Sequence, residues 1–329
     1  MGKHKKQKEE VSKKKHIGRK IFLLLLVLCV CTGIWFAKKV NDLEGNMLAA
    51  MLGHDEETIK NLDTLQVLIM GESTGMSDTI IACSYNPKTQ KASMLSIPRD
   101  TYIENGKYKY SMYNKINSLY SGGETPEKTL NAVNEITGLN IKYYILVDTE
   151  ALRKLVDIIG GVEFEVPINM KYDDYSQNLH IDLKAGFQKL NGSQAEQVVR
   201  FRHNNNGGSY SYEYGNEDYG RMKTQRNLII AVARQTLKLK NVLEIKNIIN
   251  IMQEDVKTNM DFNLIKDYIP YAFNMDLDSI QTAQLPGKSE QRHGGWFFFH
   301  NEEETKKVVD ELFNEIDKEL VETIETAEE

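Results

Sequence analysis

Cysteine is scarce in this chain, which argues against a domain stabilised by disulfides and against one stabilised by zinc. Only three cysteines occur in 329 residues. Cys29 and Cys31 lie in an apolar run near the N-terminus, so Cys83 is alone in the rest of the chain. A disulfide within that part is impossible, and a zinc site is not expected because the seven histidines do not cluster with cysteine. We expect Cys83 to be a small buried residue.

Several widespread catalytic motifs are also missing. The chain does not contain the His-Glu-x-x-His motif of metalloproteases. Gly287-Lys288-Ser289 lacks the upstream glycine that a phosphate-binding P-loop requires, and we interpret it as a loop. No nucleotide cofactor is indicated.

A net positive charge is confined to the N-terminal tail. Residues 1–20 hold eight Lys and one Arg against Glu9 and Glu10, a local charge of +7. The net charge of the chain is −6, so the remainder carries −13. Nucleic acid binding requires clustered cations, so we expect no nucleic-acid partner for this acidic body.

An apolar run follows the basic tail. Residues 21–37 contain no charge, and Lys38 and Lys39 close the run. About 17–25 apolar residues span a bilayer as a helix, and lysine-rich flanks stay in the cytoplasm. The pattern predicts a single-pass protein of the cell membrane, with a cytoplasmic N-terminus and an extracellular C-terminal domain. A cleaved signal peptide is the alternative, but its apolar core is shorter, about 7–15 residues.

The remaining chain alternates apolar runs with helical patterns. The alternation predicts an α/β or α+β fold, in which helices flank a central mixed β-sheet behind one N-terminal transmembrane helix. Thr125 is expected to cap the helix at Pro126, and Gly138 to end it. Strands are predicted over residues 65–70, 78–86, 91–97, 142–147, 162–166, 280–285 and 296–300, and helices over 126–137, 150–159, 193–199, 219–238, 242–252, 263–273 and 302–320.

These patterns divide the chain into four segments. We expect a cytoplasmic basic tail over 1–20, a transmembrane helix over 21–37, a polar stalk over 38–62 and an extracellular catalytic domain over 63–329. Export without disulfides fits a bacterium of the Gram-positive type, with one membrane and a thick wall. Residues 203–217 are polar, rich in glycine and aromatic, and form either a flexible excursion or a loop that contacts substrate.

Charged side chains recur where the predicted strands and helices end. Arg99 follows an apolar strand, and Arg200 and Arg202 would point the same way in an extended segment. Asp218, Arg221 and Gln225 share one face of a predicted helix because they are three and four residues apart. Further candidates for the same cleft are Asp78 and Asp100.

Clustered arginines indicate a phosphate ligand. The guanidinium fork matches two phosphate oxygens at once and stays charged at every relevant pH. The alternative is ordinary ion pairing of each arginine with a surface aspartate. The functional interpretation therefore depends on the whole set converging.

At this point the sequence resembles the LytR–CpsA–Psr family of wall glycopolymer ligases over residues 63–300. No single motif is decisive, but their order and spacing are specific. The residues that carry the resemblance are Val67–Gly71, Ser77-Asp78-Thr79, Asn86-Pro87-Lys88-Thr89, Leu95–Tyr102, Lys115-Ile116-Asn117, Gly122-Gly123, Val156-Asp157, Gly160-Gly161-Val162, Gly186, Leu190-Asn191-Gly192, Val199–Arg202, Asp218–Arg221 and Gln225.

The resemblance implies a phosphotransferase that works outside the membrane. Its donor would be an anionic glycopolymer, of teichoic acid or capsule type, on a polyprenyl pyrophosphate carrier. Its acceptor would be a peptidoglycan hydroxyl, and Mg²⁺ or Mn²⁺ would assist. The lipid would occupy an apolar slot, with candidates at Ile229, Val232, Tyr143 and Tyr144.

The resemblance also implies roles for single residues. Asp78 would bind the metal. Arg99, Asp100 and Asp218 would act in catalysis, the two carboxylates by orienting an arginine or by moving a proton. The pyrophosphate-binding set would be Arg99, Lys115, Arg200, Arg202, Arg221 and Gln225.

One position departs from the family pattern. Many members carry Asp two residues after the glycine that ends the first strand, where this chain has Ser73 after Gly71. A second metal-binding carboxylate is absent there unless Glu72 turns inward. Two other functions stay open from residue types alone. One is a hydrolase that uses water as the acceptor, and the other is a membrane-anchored regulatory protein without catalysis.

Overall fold

The computed structural model describes residues 32–43, 49–50, 54, 56–73, 75–105, 109–121, 125–238, 244–273 and 275–314. The chain divides into two units, Met1–Leu62 and Asp63–Glu329. The first unit contains helices over residues 32–42 and Glu56–Asn61. The predicted tail and most of the predicted transmembrane segment lie outside the described residues. Among those described, no helix has both the length and the apolar composition needed to cross a bilayer.

A six-stranded mixed sheet forms the centre of the second unit. Its strand order is β10-β3-β2-β1-β4-β9. The strand β1 pairs antiparallel with β2 and parallel with β4, so the sheet is mixed as the sequence predicts. The bounds are β1 Leu65–Ser73, β2 Met76–Tyr85, β3 Ala92–Ser96, β4 Tyr143–Asp148, β9 Val256–Thr258 and β10 Gln281–Gln284.

Helices flank this sheet, which confirms the predicted α+β architecture. One core contains Leu68, Met70 and Tyr120, and a second contains Val156, Val198 and Leu228. Alternate residues of a strand point to opposite faces, so one apolar strand can supply both cores. The bounds are α1 Glu127–Thr137, α2 Thr149–Ile158, α3 Gly192–Arg200, α4 Glu217–Thr236, α5 Ile245–Glu254, α6 Phe262–Ala272 and α7 Glu302–Val309.

Most helix ends follow their local signals. Gly138 ends α1 in the left-handed conformation at φ 71, as predicted. The predicted cap at Thr125 is wrong, because the N-cap residue is Pro126 and no side chain caps that helix. Asp148 and Asn191 cap α2 and α3 by accepting bonds from the backbone N–H groups of the first turns.

Three two-stranded sheets lie beside the central sheet, and most of their strands were not predicted from the sequence. They pair β5 with β8, β6 with β7, and β11 with β12. The interpretation of Gly287-Lys288-Ser289 as a loop is wrong, because these residues begin β11. Their bounds are β5 Val162–Val166, β6 Met170–Asp174, β7 Leu179–Leu183, β8 Gly186–Leu190, β11 Gly287–Arg292 and β12 Gly295–His300.

Candidate functional site

A cavity of about 380 Å³ opens where β1 and β4 end against helices α2, α3 and α4. Carboxyl ends of strands are a frequent place for ligand sites in α/β folds. Much of the wall is apolar, whereas cations and carboxylates gather at one side of it. The apolar lining includes Ile69, Ile145, Leu152, Leu155, Val199, Leu228, Ile229 and Val232. The polar lining includes Glu72, Ser73, Asp78, Asp148, Arg200, Arg202, His203, Arg221 and Gln225.

Asp78 holds two arginines that come from distant parts of the chain. Its Oδ1 accepts a hydrogen bond from Arg99 Nη1 at 2.7 Å. Arg202 Nη2 lies 3.2 Å from both carboxylate oxygens. Burial alone would lower the pKa of Arg99, but the nearby Asp78, Asp100 and Asp218 outweigh it and raise that pKa. Both guanidiniums are therefore held charged beside the cavity.

Asp100 extends this cluster away from the cavity. Its carboxylate accepts a hydrogen bond from Lys115 Nζ at 2.8 Å and lies 3.8 Å from Arg99 Nε. None of Arg99, Asp100 and Lys115 contributes to the cavity wall itself. Asp100 thus links two of the predicted cations, and its position suits the orientation of Arg99.

Arg221 is the most deeply buried cation of the set. It lies on α4 with 3% of its side chain exposed, and its only ion pair among described residues is with Asp218 at 3.2 Å. Burial lowers the pKa of Arg221, Asp218 raises it, and the neighbouring Arg99 and Arg202 lower it further. Three guanidiniums therefore converge in one region, in which Arg221 is buried and the Arg202 side chain is 46% exposed.

Two donors of this region lack an acceptor. The Nε atoms of Arg99 and Arg221 are buried and have no hydrogen-bond partner within the described part of the chain. A buried unpaired donor costs free energy, about 1–3 kcal/mol and more for charged groups. Arg221 lines the cavity, so an anion there is a natural partner for its unpaired donor, whereas Arg99 lies outside the cavity wall.

Gln225 and Asp218 share the predicted face of α4 with Arg221. Gln225 is buried, lines the cavity and donates through Nε2 to the Val199 carbonyl at 3.1 Å. Asp218 is farther out, with 47% of its side chain exposed. The spacing of three and four residues therefore brings these side chains together as expected.

The prediction that Arg200 and Arg202 lie side by side in an extended segment is wrong. Arg200 is the last residue of α3, because the helix continues until Phe201 donates to the Gln197 carbonyl. Its guanidinium contacts Glu196 Oε1 at 3.1 Å and Gln177 Oε1 at 3.2 Å. Both arginines line the cavity, but only Arg202 joins the Asp78 cluster.

Glu72 and Ser73 lie in the cavity wall at the end of β1. A β-bulge between Gly71 and Glu72 shifts the register with β2. The Glu72 carboxylate accepts a hydrogen bond from Tyr120 at 2.7 Å, and the Tyr120 hydroxyl in turn accepts one from Lys257 at 3.1 Å. The sequence analysis missed Tyr120 and Lys257, which are 48 and 185 residues from Glu72, and no local motif marks them.

Only part of the predicted lipid slot contributes to this cavity. Ile229 and Val232 line it, whereas Tyr143 and Tyr144 do not. The Tyr144 side chain lies in the first core beside Leu68 and Met70, on the opposite face of the sheet. The alternation of side chains along β4 explains the position of Tyr144, since Ile145 and Val147 take the cavity-facing positions. Tyr143 shares their face but lies at the start of the strand, before the part that lines the cavity.

The loop after α3 is anchored rather than a loose excursion. Tyr210 is buried against Phe201 and stacks on Tyr214 with ring centroids 5.7 Å apart in each pair. Asn204 and Asn205 accept hydrogen bonds from backbone N–H groups of β6. The anchored loop holds Arg202 and His203 in the cavity wall.

The cavity offers oxygen ligands rather than a complete metal cage. No group of three histidine, cysteine or carboxylate side chains with metal-binding geometry occurs in the residues that the structure describes. Glu72, Ser73, Asp78 and Asp148 nevertheless give the wall carboxylate and hydroxyl oxygens. Mg²⁺ commonly uses one or two carboxylates and takes its other ligands from water and phosphate, so this donor set fits it as a weak site.

Comparison with known proteins identifies similar sequences. A model described as the LytR_cpsA_psr family matches residues 6–314. A Bacillus licheniformis protein named polyisoprenyl-teichoic acid–peptidoglycan teichoic acid transferase TagU is 29% identical over 268 residues, covering 78% of this chain and 81% of that protein. Biofilm regulatory protein A of Streptococcus mutans is 26% identical over 309 residues, covering 85% and 72% respectively.

Solved structures share the fold. The Streptococcus agalactiae protein gbs0355 matches with a TM-score of 0.65 and 25% identity, over 80% of this chain and 90% of that one. Bacillus subtilis TagV matches with a TM-score of 0.61 and 23% identity, over 77% and 98%. A structure of TagT bound to LIIa-WTA matches with a TM-score of 0.58 and 23% identity, over 77% and 90%.

Proposed function

The chain belongs to the LytR_cpsA_psr family, and from that membership we propose that it transfers an anionic glycopolymer from a polyprenyl pyrophosphate carrier to peptidoglycan. The names of the TagU relatives describe a transfer of this kind. One observation carries the proposal for this chain. The cavity joins an apolar wall, which suits a polyprenyl tail, to converging guanidiniums with unpaired buried donors, which suit a pyrophosphate.

In this reaction an acceptor hydroxyl oxygen attacks the phosphorus that carries the polymer. A new P–O bond forms, the bond from that phosphorus to the bridging oxygen breaks, and its electron pair leaves with polyprenyl phosphate. Arg99, Arg202 and Arg221 are placed to offset the charge that grows on the leaving phosphate. Gln225 adds a neutral donor beside them.

The proton of the acceptor hydroxyl needs a base. Asp100 is engaged by Lys115 and Arg99, which suits it to positioning. Asp218 makes a single ion pair, with Arg221, and is half exposed. We assign Asp218 as the base for these reasons. Arg200, bound to Glu196 and Gln177, holds the tip of the β6–β7 hairpin beside the cavity and binds phosphate only if those contacts exchange.

A divalent cation is part of the proposal. Asp78 would be its main protein ligand, with Glu72 or Ser73 as further oxygen donors. When bound, Mg²⁺ or Mn²⁺ would neutralise phosphate charge and polarise the reacting phosphorus. In this structure both carboxylate oxygens of Asp78 contact arginine, so the protein alone should bind the metal weakly.

The proposed location is the cell membrane, with the basic tail in the cytoplasm and the second unit outside. The charge of the tail and the uncharged run 21–37 support this orientation. Protease added to wall-stripped intact cells should digest the second unit and spare the tail. Protection of the second unit until the membrane is lysed would reverse the proposed orientation.

Product analysis tests the reaction. The full-length chain, a lipid-linked glycopolymer and peptidoglycan should yield polymer that is covalently bound to the wall and polyprenyl phosphate. Release of free polymer instead would assign a lipid-pyrophosphate hydrolase. The absence of any donor turnover, with donor binding retained, would favour a regulatory protein without catalysis.

A further inference from the structure

An aromatic surface lies beside the cationic cluster and outside the cavity. We call it the aromatic shelf. Tyr102 and Tyr110 have ring centroids 5.3 Å apart, Tyr102 lies 5.2 Å from Phe299, and Tyr110 lies 5.5 Å from the exposed His293. Phe297 is buried beneath and meets both tyrosine rings edge-on at 6.0 Å. The shelf consists of Tyr102, Tyr110, His293, Phe297 and Phe299.

Two of its residues are held in an unusual backbone conformation. Tyr110 has φ 59 and His293 has φ 48, in the left-handed region that bulky side chains rarely adopt. His293 is followed by Gly294 at φ 83 in the two-residue turn between β11 and β12. Such turns favour Asn-Gly, and histidine is found at positive φ more often than most residues. The strained residue is therefore Tyr110, and residues of this kind concentrate at functional sites.

The shelf is connected directly to the cationic cluster. Phe298 N donates to the Asp100 carbonyl at 2.9 Å, and Tyr102 N donates to the Phe298 carbonyl at 2.8 Å. Lys115, which binds the Asp100 carboxylate, also lies over the Phe297 ring at 5.4 Å. The contacts run from the cavity through Asp78, Arg99, Asp100 and Lys115 to the shelf.

The shelf and the cavity lie at different parts of the sheet. The cavity is built around β1 and β4, whereas the shelf adjoins the end of β3, which pairs with β10 at the sheet edge. None of the five shelf residues lines the cavity. The charged cluster therefore contacts the apolar cavity through Asp78 and Arg221 and the aromatic shelf through Lys115.

We propose that the aromatic shelf binds the acceptor, an N-acetylhexosamine glycan strand of peptidoglycan. This inference rests on the proposed function. Phosphoryl transfer places the attacking and leaving oxygens roughly in line on opposite sides of phosphorus. If the lipid leaves into the apolar cavity, the acceptor approaches from the far side of the cluster, where the shelf lies. The C–H faces of pyranose rings pack on aromatic rings, and the exposed ring of His293 is available for such a contact.

The test uses a tetrasaccharide of alternating N-acetylglucosamine and N-acetylmuramic acid, titrated into the full-length chain by calorimetry. His293→Asn keeps a side chain that the turn accepts and removes the ring. Binding should weaken about three- to tenfold, as loss of one aromatic partner implies. Tyr110→Gly removes a second ring and relieves the φ of 59, and should have an equal or larger effect.

Gln90→Gly is the matched control. Gln90 has the same φ of 59 but lies in the turn between β2 and β3, away from the shelf. This variant should bind the tetrasaccharide like the unmodified chain. Equal weakening in Gln90→Gly and Tyr110→Gly would attribute the effect to backbone change and overturn the assignment.

A second titration, with a short polyprenyl pyrophosphate disaccharide, separates acceptor from donor. The shelf variants should bind this donor analogue normally. Weakened donor binding with unchanged tetrasaccharide binding would assign the shelf to the donor glycan and overturn the proposal. If the unmodified chain ligates polymer and the shelf variants bind the tetrasaccharide as tightly as it does, the shelf proposal is overturned and the proposed function stands. If the shelf variants bind the tetrasaccharide more weakly but the unmodified chain does not ligate polymer, only the proposed function is refuted.

Discussion

Replacing Arg221 by Met should separate stability from activity. Arg221 is 3% exposed, its Nε is unpaired, and burial together with Arg99 and Arg202 lowers its pKa. These are costs of keeping a charge in the folded protein. The Met side chain has a similar length and carries no charge, so the variant loses those costs along with the contact to Asp218.

The two contributions differ in size. The contact with Asp218 is 3.2 Å long and involves a half-exposed carboxylate, which limits its worth to about 0–1 kcal/mol. Relief of an incompletely paired buried charge contributes about 1–4 kcal/mol in the other direction. We therefore expect the free energy of unfolding to rise by about 1 kcal/mol, which moves the thermal midpoint up by about 2–4 °C.

Activity should move in the opposite direction. Loss of one electrostatic donor to a developing anion costs about 2.7–4 kcal/mol, or about 10²–10³ in rate. The assays are thermal unfolding of the purified chain and the rate at which polymer becomes wall-bound.

Arg226→Met is the matched control on the same helix. Arg226 is also buried with a lowered pKa, caused first by burial, but its Nη1 donates to Ser96 and it does not line the cavity. The Nε of Arg226 is likewise unpaired, so relief of its buried charge offsets the loss of the hydrogen bond to Ser96. Arg226→Met should therefore change stability less than Arg221→Met does, and should leave the ligation rate within about threefold of normal. An Arg221→Met chain that ligates at the normal rate, or that unfolds about 5 °C below the unmodified chain, would refute the reasoning.

Three further predictions follow from single contacts. Arg202→Ala should lower the ligation rate by about 10²–10³, and Arg202→Lys should not restore the rate fully, because a point charge cannot bridge two oxygens. Arg200→Ala should lower the rate less, since Arg200 is hydrogen-bonded to Glu196 and Gln177. Equal losses in the two alanine variants would contradict the different placements. Ser73→Asp should tighten Mg²⁺ binding by the free chain. In the unmodified chain, Mg²⁺ and the donor analogue should each strengthen the binding of the other. Equal Mg²⁺ affinity in the unmodified chain and in Ser73→Asp would show that Ser73 does not border the metal site. Cys83 is half-buried rather than fully buried as predicted. Loss of hydration nevertheless raises the pKa of its thiol to about 12, so with Cys29 and Cys31 replaced by Ser the folded chain should react slowly with thiol reagents at pH 8 and faster on unfolding. Rapid labelling of the folded chain at pH 8 would contradict the raised pKa of this thiol. Because the pKa is higher in the folded chain than in the unfolded chain, the stability that the thiol contributes should persist below pH 9 and disappear as pH rises to about 12.

Local patterns predicted the central elements well where they were strong. The apolar runs predicted β1, β2 and β3 with boundaries within a few residues of those in the structure. The glycines Gly138 and Gly160-Gly161 likewise predicted the ends of α1 and α2. The short strands β6, β7 and β8 escaped prediction because they are half exposed and contain polar and charged residues. Their pairing depends on neighbours rather than on composition.

The sequence by itself determined which side chains face the same way on one helix. Asp218, Arg221 and Gln225 converge because an α-helix repeats every 3.6 residues, and this follows from spacing alone. It also determined that arginines in these positions stay charged, since guanidinium does not lose its proton in proteins. These conclusions concern local geometry and intrinsic chemistry, which the chain carries into any fold.

Only the tertiary structure decided which charges meet. Arg202 joins Asp78 across 124 residues, and Tyr120 joins Glu72 and Lys257 across three separate elements. It also placed Arg200 on a helix end, turned Tyr144 into the core, and brought Tyr102, Tyr110 and His293 into one aromatic shelf. Such contacts depend on the register of the sheet and on the packing of distant loops. Local propensity does not encode these, because it acts over a few neighbouring residues whereas the contacts form only when the whole core closes.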